Sequence, residues 1–146
     1  MSFADNPKAH FDYEILDSLE AGVQLYGHEV KSVRKGSASI KGAYVKIIAN
    51  EAWLLGATIA PYQPGNTAES YDQARNRKLL LRRDQIKELI GKSQERGLTL
   101  VPLKLYEKNH LIKLEIGIAR GKKKYDKRES IKKRDVGRKI RRALTS

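Results

Sequence analysis

LTLVPLKLYEKNHLIKLEIGI, residues 98–118, decides the fold. Residues 98–106 alternate apolar and polar side chains around Pro102, and residues 111–118 alternate again. Period-two alternation is the pattern of a half-buried strand. Lys108-Asn109-His110 between the two runs reads as a turn, so the stretch predicts an antiparallel pair. Pro102 has no N–H to give to a ladder, which places it at a sheet edge or a bulge.

Working outward, residues 43–48 (AYVKII) and 52–59 (AWLLGATI) are two apolar runs joined by Ala49-Asn50-Glu51, a second hairpin. Trp53 lies in that hairpin and is expected in the core. Residues 11–25 carry Phe11, Tyr13 and Ile15 at period two, then Leu19, Val23 and Leu25, a strand with a bend or bulge around Glu20-Ala21-Gly22. GHEVKSVRKG, residues 27–36, reads as a short helix over 27–35. Pro61 and Pro64-Gly65 open a loop running to about residue 76, and RKLLL (77–81) is a short strand or a lead-in to a helix. Asp84 is the expected N-cap of that later helix, Ile86, Leu89 and Ile90 its apolar face, and Gly97 its stop.

Five to seven short strands with one short helix and one inserted helix make a mainly β chain. A curled antiparallel sheet of that size hides its edges by closing, so an OB-like closed barrel is the expected architecture. An open α+β sheet is the alternative. There is no internal repeat.

The chain has 146 residues, enough for one domain, and a formal net charge of +13. Residues 122–146 hold 12 Lys/Arg and 3 Asp/Glu, whereas residues 1–121 are nearly balanced at a net +4. Two regions follow, a barrel over 1–121 and a basic tail over 122–146, and so basic a chain makes nucleic acid the leading partner. The tail is too poor in apolar residues to fold alone, although Val136, Ile140, Ala143 and Leu144 fall on one helical face. It is expected to be disordered when free and helical against a polyanion, with binding that weakens steeply in salt. A solvated solubility tail is the plainer reading. A membrane-surface helix is disfavoured by the narrow stripe and the lack of Trp or Phe. The N-terminal MSFADNPKAHFDY shows no secretory signal, and no run is long enough to span a bilayer.

There are no cysteines, which excludes disulfides, thiolate metal sites and a Cys nucleophile. The histidines, His10, His28 and His110, show no metal-ligand spacing. No nucleophile elbow, phosphate-binding glycine loop or dinucleotide fingerprint occurs. No enzyme activity, cofactor or metal is expected, although an RNase using His and Lys would carry no sequence signature.

Unpaired RNA is read by stacking on aromatics and by hydrogen bonds to base edges. Tyr106, beside Lys104 and Lys108, and Tyr125 in the tail are candidates for stacking, and Arg75, Arg77 and Lys78 form a basic cluster. Asn6, Lys8 and His10 precede the first strand. Glu29 sits at the front of the 27–35 helix in a strongly cationic chain. It either complements the helix dipole, worth about 0.3–1 kcal/mol, or accepts hydrogen bonds from a base, which lysines cannot do.

Asn6-Pro7-Lys8-Ala9 with Asp12-Tyr13, then EAGVQLYGHEVKSVRKG, RKLLL and GKKKYDKR occur in the order and spacing of the bacterial SsrA-binding protein family, also called small protein B. The resemblance runs from about Asn6 into the tail. It implies an OB-like barrel that binds the tRNA-like domain of transfer-messenger RNA (tmRNA). It further implies a cytoplasmic, monomeric adaptor delivering that RNA to the A site of a stalled ribosome for trans-translation. Asn6, Lys8, Glu29, Lys31, Ser32, Arg34, Arg77 and Lys78 would serve the RNA-binding body. Lys122, Lys123, Tyr125, Asp126, Lys127 and Arg128 would start a tail that folds in the empty mRNA channel, near the decoding site of 16S rRNA. Tyr125 stands where many members have His. A structural ribosomal protein with a basic extension is the competing function.

Overall fold

The computed structural model describes residues 2–63, 65, 68 and 70–121. The expectations for the tail, Lys122 through Arg128 included, lie outside the described residues.

The hairpin of residues 98–118 is the spine of the molecule. β8 (Leu98–Lys108) and β9 (Leu111–Gly121) pair antiparallel through Asn109-His110. Both turn residues have positive φ, 52° and 63°, the backbone of a type I′ turn whose twist suits two strands. The other predicted hairpin, β4 (Tyr44–Ile48) and β5 (Glu51–Leu55), turns the same way through Ala49 (φ 51°) and Asn50 (φ 63°). With β1 (Ser2–Asp5), β2 (Tyr13–Val23) and β7 (Arg77–Leu80) these strands build one seven-stranded sheet, ordered β1-β8-β9-β2-β7-β5-β4. Two short strands, β3 (Ala38–Ser39) and β6 (Thr58–Ile59), pair separately.

The fold is mainly β, but the expected closed barrel is not found among the described residues. β1 and β4 are the two ends of the sheet order and do not pair with one another. The sheet curls instead, bringing β4 against β8 so that side chains, not ladder hydrogen bonds, cover the seam. Val45, Ala52, Leu54, Leu79, Leu114 and Ile116 are in the resulting core.

Two bulges govern which side chains enter that core. In β2, Ile15 faces Ala119 while Asp17 faces Ile118, so Leu16 is the extra residue. The shift inverts the alternation: Tyr13 and Ile15 pack on one face of the sheet, Leu19, Ala21 and Val23 on the other. This bulge lies several residues before the expected Glu20–Gly22 position. In β8 the irregularity falls between Pro102 and Lys104, where Pro102 predicted it. Again the phase flips, sending Val101 and Leu103 to one face and Leu100 and Leu105 to the other. Gly117 of β9 leaves room beneath it: an added Cβ would sit 3.0 Å from a Leu103 methyl carbon, so the leucine would have to shift.

Three helices are present among the described residues. α2 (Gly27–Arg34) matches the expectation within a residue. α3 (Arg83–Gln94) buries Leu89 with Ile86 and Ile90 beside it, and Gly97 follows with φ +82°. Its cap residue is Arg82, not Asp84: the Arg82 N–H donates to the Gln85 side chain at 3.0 Å. The unexpected element is α1 (Pro7–Asp12), which takes Phe11 out of the predicted strand. Asn6-Pro7 explains it, because Pro is preorganised for the first helical position.

Trp53 also departs from expectation. Its neighbours Ala52 and Leu54 are buried, and period two turns Trp53 to the outer face, where it is half-buried.

Candidate nucleic-acid interface

α2 is the element around which the candidate residues are arranged. Glu29 and Val33 point inward and are fully buried. His28, Lys31 and Lys35 share the face toward the 60–75 loop, and Val30 and Arg34 share the remaining side, as helical spacing dictates.

Glu29 is at the third helical position, and its Oε1 accepts the Tyr26 N–H at 2.9 Å, capping the helix. The sequence placed Glu29 at this helix end as a partner for the helix dipole; the capping hydrogen bond to Tyr26 is added by the structure. Its other partners come from far along the chain. Arg77 Nε and Nη2 donate to Glu29 Oε2 at 3.1 and 2.7 Å, Arg75 forms an ion pair with Oε1, and the Tyr71 hydroxyl lies 2.9 Å from Oε2. Burial by itself would push the Glu29 carboxyl up. The Arg75 hydrogen bond, the Tyr26 N–H and Arg77 outweigh it and hold the group down at about 2. Arg77 is itself fully buried and donates further to the carbonyls of Ala57, Gln73 and Arg75. A buried pair with its remaining donors satisfied is the condition under which such a pair is tolerated. Glu29 and Arg77 therefore offer no surface to an RNA; they tie the loop ahead of β7 to α2.

Asn6 and Ser32 are buried as well. The Asn6 side chain donates to the Pro102 carbonyl at 2.9 Å and its N–H to the Leu103 carbonyl at 3.0 Å. The β8 bulge exposes these consecutive acceptors, and Asn6 pins α1 onto them. Ser32 Oγ donates to the Ala60 carbonyl at 2.6 Å, fixing the start of the loop.

Lys8, Lys31, Arg34 and Lys78 reach solvent. Lys8 borders a cleft of about 260 Å³ between α1, Tyr44 and the start of β8. Arg34 pairs with Glu107 at 2.8 Å and donates to the His110 carbonyl. Lys78 is 3.3 Å from Glu51 across the sheet.

The structure adds residues that sequence reasoning did not assemble. Lys46, Trp53 and Lys78 are register partners across β4, β5 and β7, an indole between two lysines on the outer face. On the same face of β7, Leu80 is 52% exposed and lies over Gly22, where a Cβ would approach its own Cβ to 3.2 Å. Leu80, Leu111 and Lys113 flank a groove of about 280 Å³. Beside it, Tyr106 donates to Glu20 at 2.8 Å and Lys108 lies 3.2 Å away. The Tyr106 hydrogen bond leads the causes that lower the Glu20 carboxyl, while burial first, then Glu20, raises the Tyr106 hydroxyl. Only the strand register brings these residues together, so no local motif announces them.

Exposed apolar and aromatic groups interleaved with lysines, on a sheet with a buried ionic support, are the make-up expected of a nucleic-acid-binding surface, and this face is the candidate for one. No group of three or more His, Asp or Glu suited to a metal occurs among the described residues. None of their helices is long and apolar enough to cross a membrane.

The family model described as SmpB protein matches residues 3–146. The chain is 50% identical to the SsrA-binding protein of Geobacillus kaustophilus (strain HTA426) over 141 residues, covering 97% of this chain and 90% of that one. It is 48% identical to that of Trichodesmium erythraeum (strain IMS101), with the same coverage. A solved structure described as "tmRNA-SmpB: a journey to the center of the bacterial ribosome" superposes with a TM-score of 0.68 at 41% identity, over 87% of this chain and 92% of that chain. The chain belongs to the SmpB protein family.

Proposed function

We propose that this protein is a tmRNA-binding adaptor, not an enzyme, that brings tmRNA to the A site of stalled ribosomes for trans-translation. Family membership along nearly the whole chain carries the reading, together with likeness to a structure of tmRNA and SmpB in the ribosome. The cytoplasm is the matching compartment.

The body binds RNA through its outer sheet face. Lys78, Lys46, Trp53 and the Leu80–Leu111 groove supply charge and stacking surface, with Lys8 and Arg34 at its borders and Lys31 on the α2 face beyond it. Asn6, Glu29, Ser32 and Arg77 act from behind, by holding α1, α2 and the 60–75 loop in place. Lys122, Lys123, Tyr125, Asp126, Lys127 and Arg128 begin a second, ribosome-directed region over 122–146 that becomes helical in the mRNA channel. The curled sheet with its side-chain seam serves as the OB-like platform of a monomer.

Sequencing the RNA that copurifies with the tagged protein tests this. tmRNA enriched over rRNA is the expected result. Stoichiometric retention on ribosomal subunits through a high-salt wash, without tmRNA, would instead establish a structural ribosomal protein.

A further inference from the structure

On the α2 face opposite the groove, the side chains form a second arrangement. Tyr26, His28, Tyr71 and Arg75, with Ser70 and Asp72, line a cleft of about 430 Å³. That volume falls in the range of about 300–1,000 Å³ typical of small-ligand sites. The walls are aromatic and rigidly braced. Tyr26 and His28 stack with ring centroids 5.7 Å apart, His28 meets Tyr71 edge-on at 4.9 Å, and the Arg75 guanidinium lies 4.3 Å from the Tyr26 ring centre. Glu29 fixes two of these groups from beneath, through Arg75 and the Tyr71 hydroxyl. Tyr26 is nevertheless 56% exposed, and His28 Nδ1 is buried with no hydrogen-bond partner among the described residues.

The charges say which part of a ligand enters. Glu29 and Asp72 together balance the charges of Arg75 and Arg77, which leaves no net positive charge inside, so a phosphate is not favoured there. Positive charge lies outside, further along the helix. Lys31 and Lys35 both stand over the Tyr62 ring, at 5.8 and 5.6 Å from its centre, and each is exposed. One helical turn, about 6 Å of rise, separates them. Flat π-faces with polar edges accept a nucleobase, and lysines one or two turns away accept its flanking phosphates.

We infer that the Tyr26–His28–Tyr71 cleft takes one unstacked base of a single-stranded RNA segment, with the neighbouring phosphates on Lys31 and Lys35. The inference rests on the reading of the body as RNA-binding and adds a second RNA surface to it, on the other side of α2 from the Leu80 groove. A loop of tmRNA and a loop of ribosomal RNA both offer this chemistry.

The test uses the full chain and two probes. A uridine hexamer with one internal 5-iodouridine is photocrosslinked to the wild-type protein and the adducts are mapped by mass spectrometry. Adducts on Tyr26, His28 or Tyr71 are expected; adducts confined to Tyr125 or to Trp53 overturn the inference. Affinities for an adenosine hexamer and for an abasic ribose-phosphate hexamer are then compared. The tail grips both through phosphates, so their ratio isolates the base. A preference of about tenfold or more for the adenosine hexamer is expected in wild type, collapsing in Tyr26→Ala. A ratio unchanged by the substitution overturns the cleft while leaving tmRNA binding untouched, whereas a wild-type protein that binds neither tmRNA nor hexamer brings down the RNA reading itself. Tyr26→Ala assayed against tmRNA and against isolated 30S subunits identifies the source, by loss on one and not the other; loss on neither overturns the inference.

Discussion

Glu29 and Arg77 meet as a pair with no exposure to solvent, although 48 residues separate them: both Arg77 Nε and Nη2 donate to Glu29 Oε2. α2 and β7 are joined by that contact, and the loop between β6 and β7 is fastened to it through Tyr71 and Arg75. The surfaces read above as RNA-binding lie on either side of this joint.

Removing the carboxylate charge strands two guanidinium groups. Glu29→Gln is expected to cost about 3–5 kcal/mol, the penalty for breaking a buried pair. Glu51→Gln, which removes a surface ion pair with the half-exposed Lys78, is expected to stay within about 0.5 kcal/mol. Urea unfolding of both variants measures the difference, and equal midpoints would mean that the joint contributes nothing.

The same carboxyl sets an acid limit. Its folded value of about 2 lies below the ordinary 4.5, so its contribution is full above the ordinary value and fades as pH falls toward 2. The linked stability is about 3 kcal/mol. Wild-type stability should therefore drop between pH 5 and 2 by more than that of Glu29→Gln, measured by denaturant midpoints at each pH. Parallel curves would contradict the depressed value.

Asn6→Ala deletes the donor to the Pro102 carbonyl inside the β8 bulge. A loss of about 1–3 kcal/mol is expected from the unpaired acceptor. Amide exchange should accelerate first in α1, since the helix is held at that point, and unchanged protection there would refute the role of Asn6 as its pin.

On the outer face, charge and apolar contact separate by salt. Lys78→Gln should lower the slope of log affinity for tmRNA against log salt by about one ion. Leu80→Ser should weaken binding at every salt concentration without altering the slope, because its exposed side chain carries no counterion. Filter binding across a salt series reads both, and an unaffected Leu80→Ser protein would remove the groove from the interface.

Deletion of residues 122–146 takes away 12 of the 30 basic residues. tmRNA affinity of the remaining body is expected to stay within about tenfold while tagging of stalled chains is lost. Loss of tmRNA affinity by orders of magnitude would refute the division of labour.

Local chemistry announced a good deal of this. The two hairpins follow from strand-like runs, alternating in one and apolar in the other, on either side of a short turn, the Pro102 bulge from a missing N–H, α2 from its spacing, and the two-part charge distribution from counting. Family membership, too, was legible in EAGVQLYGHEVKSVRKG and RKLLL, and the comparisons agree with it. The place of Glu29 at the front of α2, facing the helix dipole, belongs to the same class; its capping bond to Tyr26 is equally local but was not read.

What the sequence could not disclose depends on partners distant along the chain. Whether a curled sheet closes is a matter of how its end strands meet, and here β4 packs over β8 without pairing to β1. Trp53 sits outside because the neighbours on either side of it fill the core. Glu29, which composition suggested as a possible base reader, became an internal ligand for Arg75 and Arg77 once the strands took their register. Periodicity and turn chemistry act over a few residues and can be read there; burial and ion pairing are decided by which distant segments the packed core brings within hydrogen-bond reach.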